Sequence, residues 1–199
     1  MRKSWQKYLF LFTVTFFALG FVNVLFGLLG LACLSLPFIF LAKDRKKTWC
    51  QGICPRANLF SRLFKGRSLT GRPGPWWILN GKGKWFVLGY FAINIFIIVM
   101  STTMVHKGRM EPMEMVRFLL VFPIPWPLPQ LLEVGPVADW IIHLSYRMYS
   151  MMFTTTVIGL ILAWLYTPRT WCRVCPVNTI SDLALESQKN ASCDVPQNV

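Results

Sequence analysis

The feature that most constrains this chain is a set of long apolar runs that carry no charge. The clearest run covers residues 85–105, WFVLGYFAINIFIIVMSTTMV, which contains no charged residue. As an α-helix, a run of this length would span roughly 30 Å, the thickness of the hydrocarbon core of a bilayer. A second run covers residues 148–166 and ends just before Pro168, a residue that helix interiors exclude. We therefore predict an all-α integral membrane protein.

A third apolar block covers residues 8–42 and is more difficult to interpret. Its 35 residues are too long for one helix of ordinary tilt and short for two. Basic residues flank both of its ends, and the positive-inside rule places such residues in the cytoplasm. The block is then a hairpin that turns near residues 20–30. This interpretation predicts four transmembrane helices, at about 8–24, 26–42, 85–105 and 148–166, whereas one long tilted helix would give three.

The distribution of charge predicts which side of the membrane each connection occupies. The chain has 21 Lys and Arg against 8 Asp and Glu. Eleven of the basic residues lie in the loop 43–84, which has one acid, whereas the loop 106–147 has four of each sign. The positive-inside rule therefore makes 43–84 cytoplasmic, 106–147 external and the tail 167–199 cytoplasmic. We expect a multi-pass protein of the inner (cytoplasmic) membrane, in contact with lipid and not with nucleic acid.

One part of the basic loop has the pattern of a helix that lies on the membrane surface. The stretch RANLFSRLFKGR, residues 56–67, has Leu59, Phe60, Leu63 and Phe64 on one helical stripe surrounded by basic residues. Apolar residues opposite a basic face are typical of helices in the interface with anionic headgroups. We therefore predict an interfacial helix here.

Four of the six cysteines form two close pairs with related sequences. The first pair lies in TWCQGICPRANLF, with Cys50 and Cys54, and the second in TWCRVCPVNTISDL, with Cys172 and Cys175. The topology places both pairs on the cytoplasmic side, where the reducing compartment favours metal ligation over disulfides. Four thiolates can hold one tetrahedral zinc ion or one [4Fe–4S] cluster. A proline directly after the cysteine occurs in bacterial ferredoxins, so we favour the iron–sulfur cluster.

The same four cysteines are also compatible with chemistry that involves no iron–sulfur cluster. A zinc clasp would make the chain a non-catalytic assembly factor, and a membrane thiol–disulfide relay would need no metal. Each pair could also act alone. The remaining cysteines are Cys33, which we interpret as a small buried hydrophobe, and Cys193, which we interpret as a free thiol in a polar tail or as an extra ligand.

A few polar residues near the external boundary could serve a second cofactor. His106 and His143 are the only histidines, and two facing imidazoles could ligate a haem or take protons from a quinol. Glu133 and Asp139 are further candidate proton acceptors. The simpler interpretation is that all four are interfacial polar residues without a cofactor.

The two cysteine motifs resemble those of the membrane ferredoxin-type proteins, which include NapH, MauN and the membrane part of NosR. WCRVCPVNTISDLALE is similar to their Cys-x(2–3)-Cys-Pro-x-Asn-x-x-[Ser/Thr]-Asp-Leu-Ala stretch, and CQGICPRANLFSRLF to their other Cys-Pro motif. The resemblance implies that Cys50, Cys54, Cys172 and Cys175 are associated with an iron–sulfur cluster. It also implies electron exchange with quinol or with partner redox proteins.

These inferences predict an electron-transfer component of a membrane oxidoreductase complex. One [4Fe–4S] cluster would pass electrons between the quinone pool and a partner. No soluble ferredoxin tail follows the second motif, so we expect the next carrier to be another subunit, a ferredoxin, flavodoxin or cytochrome. The basic loop could attract an acidic carrier electrostatically.

Overall fold

The computed structural model is a helical bundle in which one long central helix contacts most of the other elements. It describes residues 8–47, 49–64, 66, 68–72, 74–75, 82–119, 122–124, 130–131 and 137–193, without the side chains of 51 and 188–193. The helices are α1 (Leu9–Val22), α2 (Leu29–Asp44), α3 (Pro55–Leu63), α4 (Lys82–His106), α5 (Asp139–Leu165), α6 (Thr170–Val174) and α7 (Pro176–Cys193). A 3₁₀ turn (Val24–Leu28), a π-helical turn (Trp49–Ile53) and two short strands, β1 (Arg117–Phe118) and β2 (Phe122–Pro123), complete the described elements.

Among the described residues, three helical segments are long and apolar enough to cross a membrane. They are the segment Val24–Asp44, which consists of the 3₁₀ turn and α2, and the helices α4 and α5. This agrees with a helical membrane protein. The helix α1 has 14 residues, which is a rise of about 21 Å and less than a hydrocarbon core. A fourth span, and the side of the membrane on which the cysteines lie, therefore remain predictions.

The first apolar block turns back on itself at Asn23, inside the region where the sequence predicts a hairpin. Asn23 ends α1 in an extended conformation, and its side-chain oxygen accepts a hydrogen bond from the Leu25 N–H at 2.8 Å. Residues from the middle of each helix, Thr13 in α1 and Cys33 in α2, line the same small cavity. The two helices therefore return along the same part of the bundle, which supports the hairpin over a single long helix.

Glycines allow the turn of this hairpin to lie close to the central helix. A Cβ atom added to Gly20 would overlap the ring of Tyr149, and one added to Gly27 would lie 2.5 Å from the Ser145 carbonyl oxygen. Both approaches are closer than a side chain tolerates. The turn of this hairpin is therefore fixed against α5 at the level of Ser145 and Tyr149.

The central helix α5 begins at Asp139, nine residues before the span that hydropathy predicts at 148–166. The additional residues are helical because their polar side chains are buried by protein. His143 and Ser145 are fully buried, and Tyr146 is 7% exposed. A hydropathy argument assumes lipid around a helix and does not recognise such a segment.

The described part of the segment after α4 contacts α5 at β1 and at the residue that follows it. The strands β1 and β2 pair antiparallel over two residues. The Arg117 N–H donates to Ser150 Oγ at 3.1 Å, and the Leu119 N–H donates to Thr154 Oγ1 at 3.3 Å. Thr154 lies 15 residues after Asp139 in the sequence, which is about 22 Å along the helix. This β-hairpin therefore reaches the middle of α5.

The stretch 56–67, predicted as an interfacial helix, forms the helix α3 over Pro55–Leu63, and part of its apolar stripe packs inside the bundle. Phe60 is fully buried and Leu59 is 8% exposed, and both pack with Ala163, Trp171 and Val174. The helix α3 contacts both α1 and α5. An amphipathic pattern shows that one face avoids water, but it does not distinguish a lipid surface from a protein interior. Here the bundle covers Leu59 and Phe60, whereas Leu63 is 48% exposed, so contact of this helix with the membrane surface stays a prediction.

Candidate iron–sulfur site

The first cysteine motif forms a π-helical turn followed directly by a helix. In this turn, Trp49–Ile53, the N–H of Cys54 donates to the Trp49 carbonyl at 2.9 Å. Pro55 then occupies the first position of α3, where its missing N–H costs nothing and its φ suits a helix. The side-chain amide of Asn58 donates to the carbonyls of Gly52 and Cys54 at 3.3 and 3.0 Å. These bonds connect the turn to the helix that follows.

The second motif repeats this arrangement with one residue fewer. The helix α6, Thr170–Val174, is a single α-helical turn, and Pro176 begins α7 directly after Cys175. Thr179 takes the place of Asn58, because its N–H and its hydroxyl both donate to the Cys175 carbonyl, at 3.0 and 3.2 Å. In each motif the second cysteine is thus held by a residue four positions later.

The difference in spacing between the motifs has a structural explanation. A π-helical turn closes over five residues and an α-helical turn over four. The Cys-x3-Cys motif uses the former and the Cys-x2-Cys motif the latter. Trp49 and Trp171, each directly before the first cysteine, are both buried, at 8% and 7% exposure. The extra residue is therefore accommodated in the turn, and the two motifs present equivalent cysteines.

The structure brings all four cysteines of the two motifs together. Cys50, Cys54, Cys172 and Cys175 line one small cavity of about 30 Å³. None of the four forms a disulfide. The remaining lining residues are Arg56, Ala57, Phe60, Trp171 and Asn178, so thiols are the metal-binding groups of this cavity.

The four thiols of this cavity are a donor set for a metal centre. Within the residues that the structure describes, no group of three or more His, Cys, Asp or Glu side chains could hold one metal ion. Zinc–sulfur bonds of about 2.3 Å require close convergence of all four sulfurs. A [4Fe–4S] cluster would use the same four thiols as its ligands. The donor set, four thiols from two turns around one cavity, fits a [4Fe–4S] cluster.

Burial and repulsion from neighbouring thiolates raise the pKa of two of these thiols, Cys50 and Cys172. Burial, with the neighbouring Cys175 and Cys54, raises the pKa of Cys50 to about 12. Burial, with Cys54, Cys175 and Cys50, raises the pKa of Cys172 to about 12. Ligands must be deprotonated to bind a metal. A bound cluster would replace these protons. Its positive iron atoms would neutralise the repulsion between the thiolates.

At Cys175, positive charge and hydrogen-bond donors oppose the rise in pKa that burial causes. Its pKa is raised by burial, while the Arg56 guanidinium and hydrogen bonds from the backbone N–H groups of Val177 and Asn178 act to lower it. Backbone N–H groups at the start of a helix stabilise a negative sulfur, and such bonds are one means by which proteins tune iron–sulfur clusters. The start of α7 is therefore suited to a cluster-bound thiolate.

Arg56 belongs to this site, although its sequence pattern predicted a different environment. The sequence assigned it to the basic face of an interfacial helix. In the structure it lines the cysteine cavity, its Nη1 donates to Thr155 Oγ1 of α5 at 2.7 Å, and its charge acts on Cys33, Cys54 and Cys175. Its position directly after a Cys-Pro dipeptide was the available signal, since that position begins a helix next to the cysteines.

Of the other two cysteines, Cys33 does not line the cavity formed by the two motifs. Cys33 lies in α2, partly buried, and forms a hydrogen bond with Arg56. The prediction of a small buried hydrophobe was therefore incomplete, because this thiol contacts a charged group. Cys193 is the last residue of α7, and its side chain lies outside the described residues. Its assignment as a free thiol or extra ligand remains a prediction.

The two histidines are not arranged as a pair of haem ligands. His143 is fully buried, where Nδ1 accepts from the Met113 N–H at 3.1 Å and Nε2 lies 3.0 Å from Ser101 Oγ. Both nitrogens are therefore engaged by protein groups. His106 is exposed at the end of α4, edge-on to Trp140. Asp139 is exposed at the start of α5, and Glu133 lies outside the described residues.

Comparison with known proteins agrees with this geometry. The chain matches the family described as a 4Fe-4S binding domain over residues 26–73 and 149–191. The two ranges contain the two cysteine motifs and not Cys193. No curated protein and no solved structure matches the chain. The match supports an iron–sulfur family and a [4Fe–4S] cluster as the cofactor.

Proposed function

We propose that this protein is a membrane electron-transfer subunit that passes electrons between the quinone pool and a partner redox protein through one [4Fe–4S] cluster. The observation that carries the proposal is the convergence of Cys50, Cys54, Cys172 and Cys175 on one cavity. Two separate segments of the chain supply these residues, and both adjoin membrane-spanning helices. When bound, the cluster supplies a carrier for single electrons.

The residues of the chain hold the cluster and set its environment. Cys50, Cys54, Cys172 and Cys175 would be its ligands. Arg56 offsets negative charge, and the N–H groups at the start of α7 donate toward Cys175. Trp171 and Phe60 close the cavity with apolar side chains, which limits access of water. Burial, charge and hydrogen bonds are the means by which a protein sets a cluster potential.

The membrane location gives this carrier its two partners. A quinol dissolved in the bilayer would exchange electrons with the cluster from the lipid side. A ferredoxin, flavodoxin or cytochrome would exchange them at the cytoplasmic face of the inner membrane, where the basic loop 43–84 would attract an acidic surface. This assignment follows the resemblance of the motifs to NapH, MauN and NosR. The family match supports only the iron–sulfur cluster, which it favours over a zinc clasp or a thiol relay.

The first experiment is a count of iron, zinc and acid-labile sulfide per chain after anaerobic purification in detergent. We expect about four iron and four sulfide, following the composition of one [4Fe–4S] cluster. The double variant Cys172→Ser/Cys175→Ser should lose both. Cys193→Ser is the matched control and should retain them, because residue 193 lies outside the matched ranges. Zinc, or no metal, in the unmodified protein would exclude electron transfer through this site.

A further inference from the structure

A second cavity, larger than the cysteine cavity, lies between the helices α4 and α5. It has a volume of about 360 Å³. Its walls are largely apolar, with Phe86, Phe91 and Ile98 from α4 and Met151 and Ile158 from α5. Both helices are candidate membrane spans, so this groove, as we call it, lies at the depth of the bilayer. Predominantly apolar walls with a few polar groups are typical of small-molecule sites.

The two arginines of the groove lie at one end. Arg117 of β1 and Arg147 of α5 line the groove together with Asn94 of α4. In the described part of the chain, Arg147 Nε is buried and has no hydrogen-bond partner. A buried donor without a partner is costly, by about 1–3 kcal/mol. Arg147 is thus a groove-lining side chain whose donors the protein does not fully use.

The same two arginines also border an open, more polar cavity on the other side. This outer cavity, of about 570 Å³, is lined by Arg117 and Arg147 together with Arg109, Glu111 and His143. Most of its lining comes from the segment between α4 and α5. The arginine end of the groove thus adjoins a space through which protons can reach water.

At its opposite end the groove adjoins the cluster site. Trp171 lines both the groove and the cysteine cavity, and Pro176, directly after Cys175, also lines the groove. Thr155 lines the groove and accepts the hydrogen bond from Arg56. Arg147 and Thr155 are eight residues apart, which is about 12 Å along α5. One layer of side chains therefore separates the groove from the cysteines.

We infer that the groove binds an isoprenoid quinone, with a ring oxygen accepting a hydrogen bond from Arg147. This inference rests on the proposed function and specifies where the membrane-soluble partner binds. The groove accommodates one ring and the first part of its chain, whereas a phospholipid with two acyl chains would need more apolar space. Oxidation of one quinol to the quinone releases two electrons and two protons. The cluster, when bound, would accept these electrons one at a time and give each to the partner carrier, and the protons would leave through the outer cavity.

The experiment uses the full-length protein with its cluster in lipid nanodiscs. An azido derivative of a short-chain benzoquinone is photolysed in place, and the labelled peptides are identified by mass spectrometry. We expect labels within residues 86–98 and 147–158. Arg147→Gln, which removes the donor, and Ile158→Trp, which fills the groove, should each reduce labelling at least tenfold. Lys107→Gln is the control, because Lys107 is exposed at the end of α4 and does not line the groove.

Each outcome decides the location of the site. Iron content and thermal unfolding select the variants that have folded, and the two test variants act at different ends of the groove. Labels outside it, or equal labelling of folded variants and control, would overturn the inference. A tightly bound anionic phospholipid that is lost in Arg147→Gln, with quinone labelling unchanged, would assign the arginines to lipid and also overturn it.

A parallel measurement separates this inference from the proposed function. Reduction of the cluster is followed by the loss of its visible absorbance, with either a short-chain quinol or dithionite as reductant. Labelling in the groove without reduction by quinol would contradict the proposed electron route and leave the binding site in place. Reduction by quinol with labels elsewhere would support the proposed function and place the quinone outside the groove.

Discussion

Cys54 and Cys175 have nearly the same backbone conformation and the same position relative to a helix. Their φ and ψ angles are −55° and 115° for Cys54 and −57° and 129° for Cys175. Each is followed by a proline that begins a helix. The starts of α3 and α7 therefore lie beside the same cavity, and the positive ends of two helices are next to the sulfurs.

Asn58 should determine how long the cluster is retained in the first motif. Its side chain donates to the carbonyls of Gly52 and Cys54, and Asn58→Leu removes both bonds at similar volume. A lost hydrogen bond to a buried group costs about 1–3 kcal/mol, and here the cost falls on the turn that holds Cys50. We expect the visible absorbance to decay several-fold faster in the presence of an iron chelator.

Ser61→Ala is the control for this experiment, because Ser61 lies on the same helix but outside the cavity. Equal decay rates for the Asn58 variant and this control would mean that the turn is held by other contacts.

Arg56 should raise the reduction potential of the cluster. Its guanidinium is fixed by Thr155 and acts electrostatically on Cys54 and Cys175. Reduction adds negative charge to the cluster, and a nearby positive charge favours the more negative state. Arg56→Gln should therefore make the potential more negative, and Arg56→Lys should change it less. The potential is measured by an anaerobic redox titration followed by electron paramagnetic resonance.

Arg62→Gln removes the same charge from the same helix and is the matched control. Arg62 is exposed, lies over the ring of Phe10 and does not line the cysteine cavity, so solvent screens its charge. A potential that shifts equally in both Gln variants would show that Arg56 acts only through the net charge of the surface.

The sequence was informative where a physical constraint acts on neighbouring residues. The uncharged runs predicted the membrane helices, and the repeated Cys-Pro pairs predicted that the two motifs come together. The different spacings of Cys50–Cys54 and Cys172–Cys175 gave no indication that the first motif forms a π-helical turn. The turn of the first motif is held by a contact that is distant in the chain, since Trp49 stacks on Phe40 of α2.

The sequence failed where burial by protein replaces contact with lipid or water. Arg56 and His143 were both placed at membrane surfaces, because polar residues are costly in lipid. In the structure, Arg56 forms a hydrogen bond with Thr155. His143 forms hydrogen bonds with Ser101 and with the Met113 N–H. All these partners are distant in the chain, and local patterns do not reveal them.

His143 should contribute to stability and not to cluster binding. It connects α5 to α4 through Ser101 and to the outer segment through Met113. His143→Leu leaves the buried Met113 N–H without its acceptor, and we expect a loss of about 1–3 kcal/mol in unfolding free energy. Iron and sulfide content should be unchanged. Denaturant unfolding in detergent, followed by tryptophan fluorescence, measures the change.

For comparison, His106→Leu alters an exposed histidine at the end of α4 and should leave stability within about 0.5 kcal/mol. Loss of cluster iron in the His143 variant, with its fold intact, would instead assign this histidine to the redox site.

Gly159 is expected to be essential for the contact between α5 and the first cysteine motif. A Cβ atom at this position would lie 2.5 Å from Phe60 Cζ and 3.4 Å from Trp171 Cγ. Phe60 is fully buried, and the cavity that it lines is the cysteine cavity, so a displaced ring would intrude on the cluster site. Gly159→Ala should therefore displace α3 and destabilise the protein by about 1–3 kcal/mol. Because α3 begins directly after Cys54, we also expect the purified variant to contain less iron.

Gly89→Ala provides the matched control in the neighbouring helix α4. An added Cβ at Gly89 meets no described atom within 4 Å, and alanine is favoured over glycine inside helices by about 1 kcal/mol. This variant should be as stable as the unmodified protein or slightly more stable, with unchanged iron content. Thermal unfolding in detergent and iron analysis compare the two variants directly. If both alanines behaved alike, the close approach of Phe60 to α5 would not be what positions the first motif.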